Sequence, residues 1–247
     1  MRNHSADWSG RRRSVQPLVR PTRRALLIGA AATAAGIAWP GSRSLRAAEA
    51  NVGARDGENG DARAFLYDED PAGPRVTRLA GSALWSATME SIGSDRSPDM
   101  VVGGEITIPG RGMTLRCVLR RNRDRWLPAS HTIDLMFALP AHSPHGSVLS
   151  VVGILMKSEE NARGVPLHAL TVKVTSGYFV AALAVAEADR AANLQLLRER
   201  PWFDLAVVYD DGRRAILAIE KGAAGERAFG DAFAAWDRAA AGAADAR

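Results

Sequence analysis

Short apolar runs separated by turn residues dominate the chain after residue 61, and they recur about every ten residues. This spacing is typical of antiparallel β-strands joined by tight turns. Three pairs of runs carry the strongest hairpin signals. In these pairs, VVGGEITI and MTLRCVLRR flank PGRG, TVKVT and YFVAALAV flank Ser176-Gly177, and FDLAVVY and RRAILAIE flank Asp210-Asp211-Gly212. The pattern predicts a mainly β fold, which we expect to be an antiparallel β-sandwich.

Two segments have helical periodicity instead. The segment EADRAANLQLLRER ends before Pro201, and a proline cannot continue a helix because it lacks a backbone N–H. After Gly225, the side chains of Phe229, Phe233 and Trp236 recur at i, i+4 and i+7, which predicts one buried stripe. We therefore expect two helices packed against the sheet, at about 187–200 and 226–238.

Alternation along the strands separates an apolar side from a polar side. The apolar sides carry Ile133, Leu135, Phe137 and Leu139 on one strand, and Met113, Leu115, Cys117 and Leu119 on another. The polar side of the first strand carries Thr132, Asp134 and Met136. Because Cys117 is the single cysteine and lies on an apolar side, we expect a buried, inert thiol.

Two further features of the strands lead to expectations about single residues. The pair Gly103-Gly104 within a strand predicts a β-bulge, because a glycine inside a strand often marks one. Lys173 and Lys221 interrupt apolar strands, so we expect both side chains at the surface.

The positive charge of the chain is concentrated at its N-terminus. Residues 1–50 hold nine of the 32 basic residues and two of the 27 acidic ones, a net charge of +7. The rest holds 23 basic and 25 acidic residues, a net charge of −2. Since only the leader is basic, the sequence gives no support for nucleic acid as a partner.

This leader has the three parts of an export signal: a basic region, an apolar segment and a small-residue cleavage site. The apolar segment, residues 25–39, has 15 residues, whereas a membrane span needs about 20. Thr22-Arg23-Arg24-Ala25-Leu26-Leu27 resembles the twin-arginine export signal, with Arg23 and Arg24 as the arginine pair. Ala48-Glu49-Ala50 matches an A-x-A cleavage site, defined by Ala48 and Ala50.

These features predict the domain organisation and the location. Residues 1–50 are the export signal, 51–62 a flexible polar linker, 63–238 a single β-rich domain and 239–247 a frayed Ala-rich tail. We expect the twin-arginine export machinery as a partner and a periplasmic location. The alternative is an uncleaved leader that anchors the protein in the inner membrane, facing the periplasm.

Ser130, His131 and Asp134 have the side chains of a nucleophilic triad. Strand geometry argues against a triad, because residues one or three apart on a strand point to opposite faces. We therefore expect His131 to be a structural histidine.

His142 and His145 in PAHSPHG have a spacing seen in metal sites. A stable metal site needs three or four ligands, and no cysteine lies nearby. We expect two ordinary histidines in a turn, and no catalytic, metal or cofactor-binding residue is predicted. A hydrolase that uses His131 or the pair His142 and His145 is kept as the alternative.

Arg116, Arg120 and Arg121 form a local cationic cluster close to Trp126. Arginine recognises carboxylates and phosphates through paired hydrogen bonds, so this cluster is a candidate anion-binding patch. A solvated, charged strand face is the alternative interpretation.

Several longer stretches resemble an uncharacterised family of bacterial envelope proteins. The resemblance covers most of residues 65–236 and rests on LYDEDP, LPASHTIDLMFALP, GILMKSEENARGVPL, VKVTSGYF and LLRERPWFDLAVVYDDGRRAILAIEKGAAGERAFGDAFAAW. That family has no established activity, so the resemblance implies an envelope domain and no catalytic residue. The DGRRAILAIEKG ending is also similar to the invasion-associated locus B proteins, which are small exported β-sandwiches.

Together, these observations predict an exported periplasmic protein that acts as a non-catalytic binding or envelope-associated module. Its partner is expected to be an envelope protein or a small ligand. A membrane-tethered scaffold with an uncleaved leader is the alternative to this periplasmic module.

Overall fold

The computed structural model describes residues 61–69, 76–92 and 97–245, which form eleven β-strands and two α-helices. The predicted export signal and nearly all of the predicted linker lie outside these residues. The strands are β1 (Ala62–Glu69), β2 (Val76–Ile92), β3 (Ser97–Ile108), β4 (Met113–Arg121), β5 (His131–Ala138), β6 (Val148–Lys157), β7 (Val165–Pro166), β8 (Ala169–Thr175), β9 (Tyr178–Leu183), β10 (Trp202–Tyr209) and β11 (Arg214–Glu220). The helices are α1 (Glu187–Glu199) and α2 (Gly222–Asp245).

All eleven strands belong to one antiparallel sheet, in the order β7-β6-β10-β11-β1-β2-β3-β4-β5-β9-β8. The mainly β fold with two helices is therefore confirmed. The sheet curls until strands near its two ends approach each other, and Lys173 Nζ on β8 lies 3.5 Å from the carbonyl oxygen of Val148 on β6. The facing layers that a sandwich requires are thus parts of one continuous sheet.

The three predicted hairpins are all present. β3 pairs with β4, β8 with β9, and β10 with β11. The turns between the last two pairs contain Gly177 and Gly212, whose φ angles of 72° and 85° lie in the left-handed region. Only glycine adopts this region without a steric cost. At Gly177, a Cβ would also lie 2.5 Å from the carbonyl oxygen of Phe137.

The core fills the concave side of the curled sheet and continues under α2. The predicted apolar sides of β4 and β5 face this core, as alternation indicated. Phe229, Phe233 and Trp236 of α2 are buried in the same cluster, which confirms the predicted stripe. Trp236 also donates a hydrogen bond from its indole nitrogen to the carbonyl oxygen of Met100, at 2.9 Å.

A second, smaller apolar cluster covers the opposite side of the sheet across β1, β10 and β11. Phe65 and Trp202 stack with their ring centroids 6.2 Å apart. The guanidinium of Arg78 lies 3.6 Å from the Phe65 centroid and bonds to Glu160 at 2.8 Å. This cluster explains why strands near the middle of the sheet carry aromatic residues on both faces.

The pair Gly103-Gly104 does not form a bulge, so that prediction is wrong. Gly104 stands in unbroken register between Trp85 on β2 and Cys117 on β4. A Cβ at Gly104 would lie 2.6 Å from a ring carbon of Trp85 and 2.8 Å from the Cys117 sulfur. The glycine is required because the Trp85 indole fills this space. Cys117 is buried as predicted, and burial raises the pKa of its thiol to about 12.

The helices match their predicted positions, but α2 is longer than expected. α1 ends at Glu199, before Pro201, as predicted. α2 begins at Gly222 and continues to Asp245, so it includes residues 239–245, which the sequence predicted as a frayed tail. Alanine has the highest helix propensity, and an Ala-rich segment extends a helix that is already formed. At the other boundary, Ala62 of the predicted linker already pairs with Ala83 in the sheet.

The close approach of the Trp85 ring to Gly104 leads to a testable prediction for Gly104→Ala. The added methyl group must displace the Trp85 ring, so we expect a loss of about 1–3 kcal/mol in the free energy of unfolding. Gly153→Ala on β6 is the matched control, because nothing lies within 4 Å of its Cβ position. Urea unfolding measures both, and equal stabilities of the two variants would contradict the proposed packing.

Candidate functional site: a groove between the two helices

A groove of about 450 Å³ lies between the C-terminal end of α1 and the first half of α2. Its apolar surface comes from Pro201, Phe229, Phe233 and Ala234. Its charged side chains are Arg198, Glu199, Arg200, Lys221, Glu226 and Asp237. The volume falls within the range of pockets that hold small molecules.

Two short connections form the inner end of this groove. α1 stops because Arg200 is extended, with φ −93° and ψ 125°, and Pro201 follows it. Lys221 then joins β11 to α2, and its backbone N–H donates to the carbonyl oxygen of Pro201 at 2.8 Å. This hydrogen bond holds the end of α1 next to the start of α2. As a result, Arg200 and Lys221 both line the groove.

Lys221 is the most deeply buried charged residue of the groove, with an exposed fraction of 1%. Its Nζ donates to the carbonyl oxygen of Leu197 at 2.5 Å and lies 4.4 Å from the Phe229 ring centroid. Burial lowers the pKa of this amine to about 8, and the charge of Glu226 opposes the shift. The ammonium form is therefore held in a nearly dry site.

The prediction that Lys221 lies at the surface is wrong, whereas Lys173 is exposed as expected. Lys221 lies four residues after Leu217 and two after Ile219, and both of these side chains face the core. Continued alternation therefore brings Lys221 inward. At this residue, position along the strand indicates burial more reliably than the type of side chain.

The two arginines of the groove differ in their partners. Arg198 donates to both carboxylate oxygens of Asp237 at 2.9 Å, and its guanidinium lies 4.7 Å from the Phe233 centroid. Arg200 Nε is buried, and no atom of the described residues forms a hydrogen bond with it. A buried donor without an acceptor costs roughly 1–3 kcal/mol. Since Arg200 and Lys221 both line the groove, its lining includes a donor without a partner and a buried amine.

Ser130, His131 and Asp134 do not form a triad. His131 faces the core, where its ring centroid lies 5.0 Å from that of Trp236. Asp134 points away from the core and forms an ion pair with Arg120. The His131 Nδ1 atom is buried without a hydrogen-bond partner among the described residues. Burial, together with the charges of Arg190 and Arg121, lowers the pKa of His131 to about 4.

His142 and His145 are also kept apart. His142 is exposed, whereas His145 is buried and places its Nδ1 atom 2.8 Å from Asp211 Oδ2. The His145 ring lies on Tyr209 with a centroid distance of 5.3 Å. Within the described residues, no group of three or more His, Cys, Asp or Glu side chains is arranged to hold a metal ion. Sequence reasoning missed Asp211 as the partner because it lies on a distant hairpin.

The three arginines of the candidate anion patch do not all lie on one face of the sheet. Arg120 and Arg121 are neighbours on β4 and point to opposite faces. Arg120 pairs with Asp134, and Arg121 pairs with Asp99 at 2.8 Å. Arg116 stands directly across from Glu105 on β3. Acidic residues from neighbouring strands therefore accompany these arginines, and the sequence could not indicate their register.

Comparisons of the chain with protein families, with curated proteins and with solved structures found no match. The assignment of a functional site therefore depends on geometry alone. Neither α1 nor α2, the helices of the described residues, has the length and apolar composition needed to cross a membrane.

His131 leads to a prediction about acid stability. Its folded pKa of about 4 lies below the ordinary value of 6.5. Between these pH values only the unfolded chain takes up the proton, so stability falls as the pH drops, by roughly 3 kcal/mol. We expect His131→Phe to remove this component, and exposed His142→Phe to retain it. Urea unfolding from pH 7 to 4 compares the three proteins, and parallel curves would refute the assignment.

Lys221 leads to a prediction about stability at alkaline pH. Its folded pKa of about 8 lies below the ordinary 10.5, so the unfolded chain binds more protons between these values. Stability should therefore rise by roughly 3 kcal/mol from pH 8 to 10.5. The difference in stability between wild type and Lys221→Met isolates this rise, because the other titrating groups are common to both proteins. Lys173→Met, at an exposed lysine, should behave like the wild type.

Proposed function

We propose that this chain is an exported periplasmic protein that acts as a non-catalytic binding module of the cell envelope. We further propose that it binds a small ligand in the groove between α1 and α2. One observation carries this proposal: the lining of the groove includes both the buried amine of Lys221 and Arg200, whose Nε is a buried donor without a partner among the described residues.

The energetics of Lys221 favour a binding role over a purely structural one. Burying an ammonium group is costly unless hydrogen bonds and counter-charges replace its hydration. An ammonium group has three donors, and the Leu197 carbonyl accepts from one of them. Perturbed ionisable groups in clefts are concentrated at functional sites. A ligand with hydrogen-bond acceptors would satisfy both Lys221 and Arg200.

The periplasmic location depends on the leader and not on the groove. Arg23 and Arg24 support export by the twin-arginine machinery, and Ala48 and Ala50 support cleavage that leaves Asn51 as the first residue. A membrane-tethered scaffold would instead keep the leader. The mass of the protein recovered from its host distinguishes these two outcomes.

A hydrolase is the second candidate function, and the contact between His145 and Asp211 favours it. A carboxylate bonded to Nδ1 orients an imidazole so that Nε2 can act as a general base. No side chain of the described residues forms a hydrogen bond with that second nitrogen, so a serine nucleophile is not in place. His145→Gln separates the candidates: it should abolish hydrolysis but leave a ligand of the groove bound.

Filling the groove tests the binding proposal directly. Ala234 lines the groove and is exposed, so Ala234→Trp should occupy the ligand's space without disturbing the core. Ala239→Trp is the matched control, at an exposed position of the same helix outside the groove. Each protein is recovered from the host periplasm and analysed by native mass spectrometry.

We expect a mass excess that survives mild activation in the wild type and in Ala239→Trp, and its loss in Ala234→Trp. Full retention of the mass excess in Ala234→Trp would refute the groove as the ligand site. The same spectra report the first residue, and a full-length chain found only in membranes would favour the tethered alternative.

A further inference from the structure

We propose that the ligand of the groove is an amphiphilic monocarboxylate, with its carboxylate bound by Lys221 and Arg200 and its apolar part lying on Phe229 and Phe233. This inference rests on the proposed function, and it specifies the chemical class of the ligand. The geometry supports it in three steps, which concern the donors, the acidic residues and the apolar surface of the groove.

The donors form the first step. Lys221 is 1% exposed and has one backbone acceptor, the carbonyl oxygen of Leu197 at 2.5 Å. Lys221 Nζ also lies 5.6 Å from the ring centroid of Phe203 and 4.4 Å from that of Phe229. Arg200 Nε is the second buried donor. Both residues line the groove, and a carboxylate, which has only acceptor sites, is the chemical complement of such donors.

The acidic residues of the groove form the second step, because they argue against a cationic ligand. Asp237 is already engaged by Arg198 through both of its oxygens, at 2.9 Å each. Glu199 accepts a hydrogen bond from Gln195 at 3.1 Å. Glu226 is exposed at the rim. The buried polar atom that lacks a partner is therefore a donor, and its complement is an anion.

The apolar surface forms the third step. Phe229 and Phe233 are buried members of the core cluster, and both also line the groove. Pro201 and Ala234 continue this surface toward its opening. A fully hydrophilic anion would leave the exposed Ala234 and the partly exposed Pro201 facing water, whereas an aliphatic chain would cover them. The neighbouring donors and apolar surface therefore match a carboxylate joined to a short hydrocarbon chain.

Three probes of equal length test this assignment: octanoate, octanol and octylammonium. The protein purified from the periplasm is titrated with each probe by calorimetry, after any native ligand has been removed by dialysis. We expect octanoate to bind about tenfold or more tightly than octanol, because a neutral hydroxyl is a weaker acceptor for two cationic side chains than a carboxylate is. Octylammonium should show no binding.

Variants assign the effect to named side chains. Arg200→Gln and Lys221→Met should each weaken octanoate binding about tenfold or more, and should weaken octanol binding much less. Arg190→Gln is the matched control, because Arg190 is exposed on α1 and outside the groove lining. Octanoate affinity should also fall from pH 7 to 9.5 in the wild type, as Lys221 loses its proton, but not in Lys221→Met. If Lys221→Met does not fold, Arg200→Gln alone still decides the outcome.

The failure of this inference can be told apart from failure of the proposed function. Equal binding of octanoate and octanol, unaffected by Arg200→Gln, would overturn the carboxylate assignment and leave the groove as a binding site. The assignment is also overturned if a native mass excess is lost in Ala234→Trp but octanoate does not displace it from the wild type. No native mass excess and no binding of any probe would overturn the groove itself.

Discussion

Trp85 is the side chain on which both the sheet and the groove depend. Its ring occupies the space that a side chain at position 104 would need, so β2 and β3 can accommodate an inward indole. The same ring stacks on Phe203 at 5.6 Å and meets Phe229 edge-on at 5.5 Å. Its Nε1 atom donates to the carbonyl oxygen of Glu220 at 2.8 Å. The indole therefore connects the central strands to the start of α2.

This packing determines the chemistry of the groove. Because Trp85 holds Phe203 and Phe229 together, the Lys221 amine that follows Glu220 lies among aromatic rings instead of in water. An amine in such surroundings loses hydration, and cation–π contacts and one carbonyl acceptor replace only part of it. The result is a buried cationic group at one end of a groove that has both apolar and charged side chains.

Much of the candidate chemistry could not be predicted, because the partners are distant in the sequence. The separation of His131 from Asp134 followed from strand alternation alone. The pairing of His145 with Asp211 required β6 and β10 to be neighbours, and nothing local in the chain indicates that order. Lys221 could be predicted in part. Its position two residues after the buried Ile219 indicated burial, but its hydrogen-bond partner Leu197 lies on α1, which is distant in the sequence.

The sequence by itself determined many of the local elements of this protein: seven of the eleven strands, the three hairpins and the two helices. These depend on alternation, on turn residues such as Gly177 and Gly212, and on the block at Pro201, all of which act over a few residues. Only the tertiary structure decided that the strands form one curled sheet, that Gly104 accommodates an indole, and that residues 200 and 221 meet in one groove. Strand order and register depend on the summed burial of many distant side chains, which no short segment of the chain specifies.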